Sequence, residues 1–144
     1  MKKMNAKGFT LIELLVVIAI IGLLSTLAVV ALGNARQKAR DARRLSDLKQ
    51  LQTALELYYT DQTAYPTGSG VTLGSTNYAC LNASGFGTAG CANPYMGQVP
   101  SDPLGTQSYV YTAASSSYSV TATLETTMNG LSGGVTLSPS GIAD

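Results

Sequence analysis

The sequence predicts an α+β protein: one long N-terminal α-helix over about residues 9–60, packed against a small antiparallel sheet of about three strands. Three patterns predict it. Between residues 9 and 60 there is no proline, and glycine occurs only at Gly22 and Gly33, so little in that span would stop a helix. Leu45, Leu48, Leu51, Leu55 and Tyr58 recur at spacings of three and four, the apolar stripe of a helix lying on a core. Much later, Tyr118, Val120, Ala122 and Leu124 alternate with Ser and Thr, as in a strand with one buried face.

The helix opens on an unusual stretch. A short basic leader, residues 1–8, carries Lys2, Lys3 and Lys7 and ends in Gly8. After Phe9 and the acid Glu13 the chain is apolar almost without break to Leu32. Residues 14–32 would make roughly 28 Å of helix, close to the thickness of a bilayer core. Ser25 and Thr26 are the only polar side chains there. A carboxylate at the start of a membrane helix costs several kcal/mol unless partnered, so Glu13 calls for a functional reason. It lies four residues after Phe9, on the same helix face. A cut between Gly8 and Phe9 would create an α-amine beside it. A cleaved secretory signal is the competing reading, with Val29-Val30-Ala31 imitating its cleavage site. The run is longer than a usual signal core and begins with an acid, which weighs against it. A plain membrane anchor would leave Glu13 unexplained.

The second half of the helix, residues 34–66 with its exit, changes character at Asn34. Residues 36–44 are polar and basic, and Arg43 and Asp47 are placed to pair along the surface. Tyr65-Pro66 closes the helical pattern, because the residue before proline avoids the helical region. A helix of some 50 residues is roughly 78 Å long. The remaining chain is too small to cover it, so its first half must be buried in lipid or in other copies of itself.

Residues 67–144 form the expected head. Its first part, to residue 99, reads as loop, punctuated by glycines and by Pro94. Cys80 and Cys91 are the only cysteines and lie in that loop. In an exported domain such a pair most simply forms a disulfide, and closing a loop of about 12 residues contributes on the order of 3 kcal/mol. With no His and no further Cys, a metal pair or a catalytic thiol has little to work with. Asn82-Ala83-Ser84 matches the acceptor pattern for N-glycosylation, a triplet common by chance. Val99-Pro100-Ser101-Asp102-Pro103-Leu104-Gly105 is a turn leading into Ser108-Tyr109-Val110-Tyr111-Thr112. That strand and residues 118–124 make a hairpin, with Val135-Thr136-Leu137 as a third strand.

The net charge of +1 hides an asymmetry. Without the leader, six basic side chains remain, all from Arg36 to Lys49, against eight acids. The basic neck and acidic, Ser/Thr/Gly-rich head are not a nucleic-acid-binding composition, and no specific nucleic acid is expected as partner. Catalysis is not expected either: there is no credible Ser or Cys dyad, and Asp102 and Glu125 would pair only by accident of folding.

Gly8-Phe9-Thr10-Leu11-Ile12-Glu13, with the basic leader before it and the apolar run behind, resembles the processing motif of type IV pilins and type II secretion pseudopilins. The stretch from Leu48 to Tyr59 followed by Tyr65-Pro66 is similar to the pseudopilin helix end, and the likeness covers about the first 66 residues. Residues 100–124 are similar to the major pseudopilin pattern of Pro, Asp-Pro, Gly, Tyr-x-Tyr and a second strand. The resemblance implies a pilin fold. It implies that a prepilin peptidase cuts after Gly8 and that the new N-terminus of Phe9 is methylated. It also implies that Glu13 neutralises the Phe9 amine of a neighbouring copy during assembly. Segment 9–33 then becomes first a membrane span and afterwards the filament core. The partners implied are copies of the same chain, the peptidase, membrane lipid before assembly, the inner-membrane assembly platform and minor pilins. The head would lie outside the inner membrane, then in a periplasmic or cell-surface filament.

The chain departs from the family pattern in three places. Leu104 stands where an aromatic follows Asp-Pro. The proline that many members carry late in the apolar segment is absent. Near the C-terminus, Ser138-Pro139-Ser140-Gly141 and a lone Asp144 offer too few carboxylates for the family's calcium loop, so no cofactor is expected. The positive-inside rule also conflicts, with three basic residues in the leader and six in the neck. The expected disulfide, the uncharged head surface and the processing motif outweigh it. The neck is either a solvated face with weak local pairs or a contact for acidic heads of neighbours. These readings make the chain a structural subunit of a type IV filament, pilus or secretion pseudopilus. The alternative is a minor pilin that binds a ligand at the tip for adhesion or DNA uptake.

Overall fold

One helix, α1 (Leu11–Gln62), carries 52 of the residues in the chain. The computed structural model describes residues 8–144; the leader lies outside the described residues except for Gly8. Thr10 sits just before the helix and Glu13 in its first turn, as in a capping box. The helix ends earlier than the Tyr65-Pro66 signal requires. Thr63 takes a left-handed conformation (φ 58°), and its N–H donates to the Tyr59 carbonyl at 2.8 Å, so the last turn closes at a non-glycine cap. Two compact units divide the chain, one ending at Arg36 and the other Gln37–Asp144.

In the first unit, every large apolar side chain from Phe9 to Leu32 is exposed, from 45% at Val17 to 81% at Phe9. Among the described residues this helix is long and apolar enough to cross a membrane. The Thr26 hydroxyl folds back onto the Leu23 carbonyl at 2.8 Å, which hides one of the two polar groups in the run.

The second unit is built on the stripe. Leu48, Leu51, Leu55 and Tyr58 are buried, and Leu45 is half-buried at the margin. They pack on a five-stranded antiparallel sheet, where a sheet of about three strands was expected. The expected strands are β4 (Val110–Ala114), β5 (Ser117–Thr123) and β6 (Gly134–Ser138). Tyr118, Val120 and Ala122 alternate into the core along β5, and Leu124 just beyond it is buried too. The two additional strands are edges: β1 (Gly68–Thr72) on β4 and β7 (Gly141–Ala143) on β6. Neither alternates. The β1 sequence Gly-Ser-Gly-Val-Thr pairs through its backbone across a register shift, and β7 is three residues long.

The stretch from 67 to 99 is therefore not plain loop. It holds β1, a short 3-10 turn (Thr76–Tyr78), and a separate hairpin of β2 (Cys80–Asn82) and β3 (Gly85–Gly87). Leu81 of β2 is fully buried, and Phe86 of β3 packs edge-on against Tyr111 with centroids 5.0 Å apart. The loop at Gly74 (φ +72°) presses on the turn before Asp102. A side chain there would meet Ser101 Cβ at 2.8 Å and the Pro100 carbonyl at 2.9 Å, so only glycine fits.

Candidate functional site

The N-terminal motif and the helix–sheet junction are built in different ways. At the first, the Thr10 N–H donates to Glu13 Oε2 at 2.8 Å, and the Thr10 hydroxyl donates to the same oxygen at 2.6 Å. The Glu13 N–H returns a bond to Thr10 Oγ1 at 3.3 Å. The carboxylate is thus turned back toward the helix start, the end from which Phe9 leads away. Thr10 and Glu13 at this spacing could have been read from the sequence as a capping box, a use for Glu13 that needs no cleavage. Phe9, Ile12, Val16 and Val17 line a shallow apolar groove beside the acid. Gly8 and Phe9 are exposed and belong to no helix or strand.

At the junction, the chain collects charges that the sequence reading left scattered. Arg44 is completely buried. Its Nε and Nη2 donate to the two oxygens of Asp102 at 2.7 and 2.9 Å, a bidentate pair, and its Nη1 donates to Asp41 at 2.7 Å and to Glu125 at 2.8 Å. Arg40 adds a second fork onto Glu125, at 2.7 and 2.6 Å. Asp41 accepts from the Glu125 N–H at 3.0 Å and from the Thr126 N–H and hydroxyl at 2.8 and 2.7 Å. Asp102 and Glu125 therefore do meet, through Arg44 rather than through a shared proton.

The signal was present in the sequence. Arg44 stands four residues before Leu48, so it continues the 4-3-4 rhythm of the stripe and must face the sheet. Neither use foreseen for the neck applies to Arg40 and Arg44, which are spent inside the chain. Arg36, Lys38, Arg43 and Lys49 remain exposed. Arg43 reaches Asp47 only at 3.7 Å, and Asp47 also accepts from the Tyr109 hydroxyl at 2.9 Å.

Ionisation follows these contacts. Arg40, then Arg44, hold the Glu125 carboxyl down to about 2. Burial works against ionised Asp41, but the Glu125 and Thr126 donors and Arg44 outweigh it, and its carboxyl titrates below the ordinary range. Burial pushes Asp47 up, only partly offset by Tyr109 and Arg43.

Among the described residues, no group of three or more His, Cys, Asp or Glu side chains is arranged to hold a metal ion such as the family's calcium. Of the carboxylates at the sheet end of the head, Asp102 and Glu125 are taken by arginine, and Asp144 caps the Ser132 N–H at 3.3 Å. A calcium site asks for six to eight oxygens around one point. In the hairpin region, Cys80 and Cys91 form a disulfide, with Cα atoms 6.2 Å apart. Asn82 spends its Oδ1 on the Ser84 N–H at 3.0 Å and points its amide at the Ala92 carbonyl.

This layout of a bare apolar helix start and a self-contained helix–sheet head agrees with what sequence comparison finds. Residues 3–29 match the prokaryotic N-terminal methylation motif, and residues 31–135 match the type II secretion system protein G family. The chain belongs to the type II secretion system protein G family. The type II secretion system core protein G of Klebsiella pneumoniae is 38% identical over 101 residues, 69% of each chain. The core protein G of Aeromonas hydrophila is 42% identical over 67 residues, 46% of this chain and 47% of the relative. That of Escherichia coli is 44% identical over 61 residues, 42% of each. With these last two relatives the chain aligns over about half of their length or less. No solved structure gave a significant match.

Proposed function

We propose that the chain is a non-catalytic pseudopilin, a structural subunit of the type II secretion pseudopilus. One observation carries the reading: sixteen large apolar side chains between Phe9 and Leu32 all stand exposed, in a chain whose remaining residues make a complete core of their own. Such a surface has two plausible solvents, lipid and other copies of the same helix, and a pseudopilin uses them in turn. The chain enters the inner membrane with its head on the periplasmic side. A prepilin peptidase cuts after Gly8, and the new amine of Phe9 is methylated. The subunit then leaves the lipid for a bundle of the same helices, with the assembly platform and minor pilins as further partners. In that dry core the Phe9 amine and the Glu13 carboxylate of neighbouring copies neutralise each other. Neither could be buried alone. The Thr10 bonds hold Glu13 facing the helix start, the position from which it can accept an incoming amine.

The test separates charge from capping. Glu13→Gln keeps a side chain able to accept from Thr10 but removes the charge, and Glu13→Ala removes both. Both variants should still be cut and methylated, read as the mass of the mature N-terminus. Both should fail to build filaments that can be sheared from cells overexpressing the subunit. Wild-type filament yield from Glu13→Gln would overturn the charge-pairing role. A mature protein that keeps Met1 would overturn the reading as a whole.

A further inference from the structure

We infer that Arg44 is a built-in structural cation: its guanidinium ties α1, the turn at Asp102 and the turn at Glu125 together, so that the head folds and stays folded without a divalent ion. The inference concerns the head alone and does not rest on assembly into a filament.

Three segments distant in sequence converge on this side chain. Asp41 comes from the helix, Asp102 from the turn before β4, and Glu125 from the end of β5. A structural metal performs the same task, drawing carboxylates of separate loops to one positive centre. Here four carboxylate oxygens lie 2.7 to 2.9 Å from guanidinium nitrogens. Four of the five N–H groups of the arginine are thereby used. The planar fork matches Asp102 face to face, which a spherical ion would not require.

The charges nearly balance as well. Asp41, Asp102 and Glu125 bring three negative charges, and Arg44 and Arg40 bring two positive ones. The remaining negative charge is spread over Asp41, which holds three donors from Glu125 and Thr126. Those same bonds fix the backbone of the turn after β5. A calcium ion added to this cluster would have to displace a covalently tethered cation that pays no entropy of capture. It would also strand a buried guanidinium without its carboxylate partners.

The experiment uses the full chain, purified in detergent, and follows loss of head structure on heating in EGTA and in millimolar calcium. The wild-type midpoint should be the same in both. Arg44→Ala leaves Asp41 and Asp102 without their counter-ion and Glu125 with Arg40 alone, so its midpoint in EGTA should fall by roughly 15 °C. Calcium should then recover part of that fall, because the vacated carboxylates now face an empty centre. Arg44→Lys keeps one charge but loses the fork, and should fall between the two. It provides the reading if Arg44→Ala gives no folded head. A wild-type midpoint that drops in EGTA and returns with calcium would overturn the inference. So would an Arg44→Lys midpoint equal to wild type.

Discussion

Leu23 and Leu51 lie on the same helix and meet opposite fates. Leu23 is 64% exposed, and Leu51 is completely buried. The residue types in the two halves do not explain this, since both are rich in leucine. The difference is in what accompanies them. Around Leu51 the apolar residues form a stripe with polar neighbours on the other faces, and the stripe joins the sheet residues in one core. Around Leu23 the helix is apolar on all sides, and no single sheet could cover that. A helix apolar all round needs a surrounding medium, whereas a striped helix needs one partner. The head supplies its own partner, and the N-terminal unit depends on whatever surrounds it.

The largest test of that contrast places one substitution at both positions. Leu51→Ala should cost the head about 2–5 kcal/mol, from lost burial and the cavity left in the core. Leu23→Ala should leave head stability unchanged to within about 0.5 kcal/mol. Thermal or urea denaturation of the full chain in detergent measures both. A comparable loss from Leu23→Ala would mean that the first unit contributes to the core of the second.

The disulfide comes next. Cys80 and Cys91 close a loop in the part of the head with the least regular structure, and removing both as serine should cost about 3 kcal/mol, roughly 10 °C in midpoint. The β2–β3 hairpin and the Leu81 contact with Met96 should lose hydrogen-exchange protection first, since the bridge anchors that strand. Uniform loss of protection across β4, β5 and β6 would show that the bridge supports the whole sheet instead.

How much of this was legible beforehand depended on periodicity. Val120 and Leu124 alternate, and Leu48 to Tyr58 repeat by threes and fours, so their elements could be read directly. Gly68-Ser69-Gly70 and Gly141-Ile142-Ala143 carry no pattern, because an edge strand is held by backbone bonds and need not alternate. The ionic cluster was missed for a different reason. Arg44 has the right phase to be buried but the wrong chemistry to be suspected, and its partners lie 58 and 81 residues away. Pairings over such distances are decided by the fold. The N-terminal methylation motif was legible because it is contiguous in sequence.

Acid separates the two regions more gently. Glu125 titrates at about 2 in the folded head, against an ordinary value of 4.5, and Asp41 is also lowered. A depressed carboxylate stabilises the fold above its unfolded value, and that stability is lost as pH falls through the folded one. Head stability should therefore decline between about pH 4.5 and pH 2. Asp47, raised by burial, works in the opposite sense and blunts the slope. Replacing Glu125 with Gln lowers stability at neutral pH and should flatten the midpoint-versus-pH curve in that window. An unchanged slope would place the acid sensitivity elsewhere.

The smallest change addresses the N-terminal unit through its only internal contacts among the described polar side chains at the helix start. Thr10→Val removes both side-chain bonds to Glu13 and leaves its charge. Losing such a cap costs about 1 kcal/mol of local helix stability. In lipid or in a helix bundle, where the rest of α1 is held on all sides, that loss should fray the first turn and little more. Cleavage and filament yield from Thr10→Val should stay near wild type, while Glu13→Gln in the same assay yields none. That ordering would mean the region works through bonds it makes to other molecules, the reverse of the head. If Thr10→Val assembles as poorly as Glu13→Gln, the carboxylate acts by fixing the helix start, and the internal bond is the one that matters.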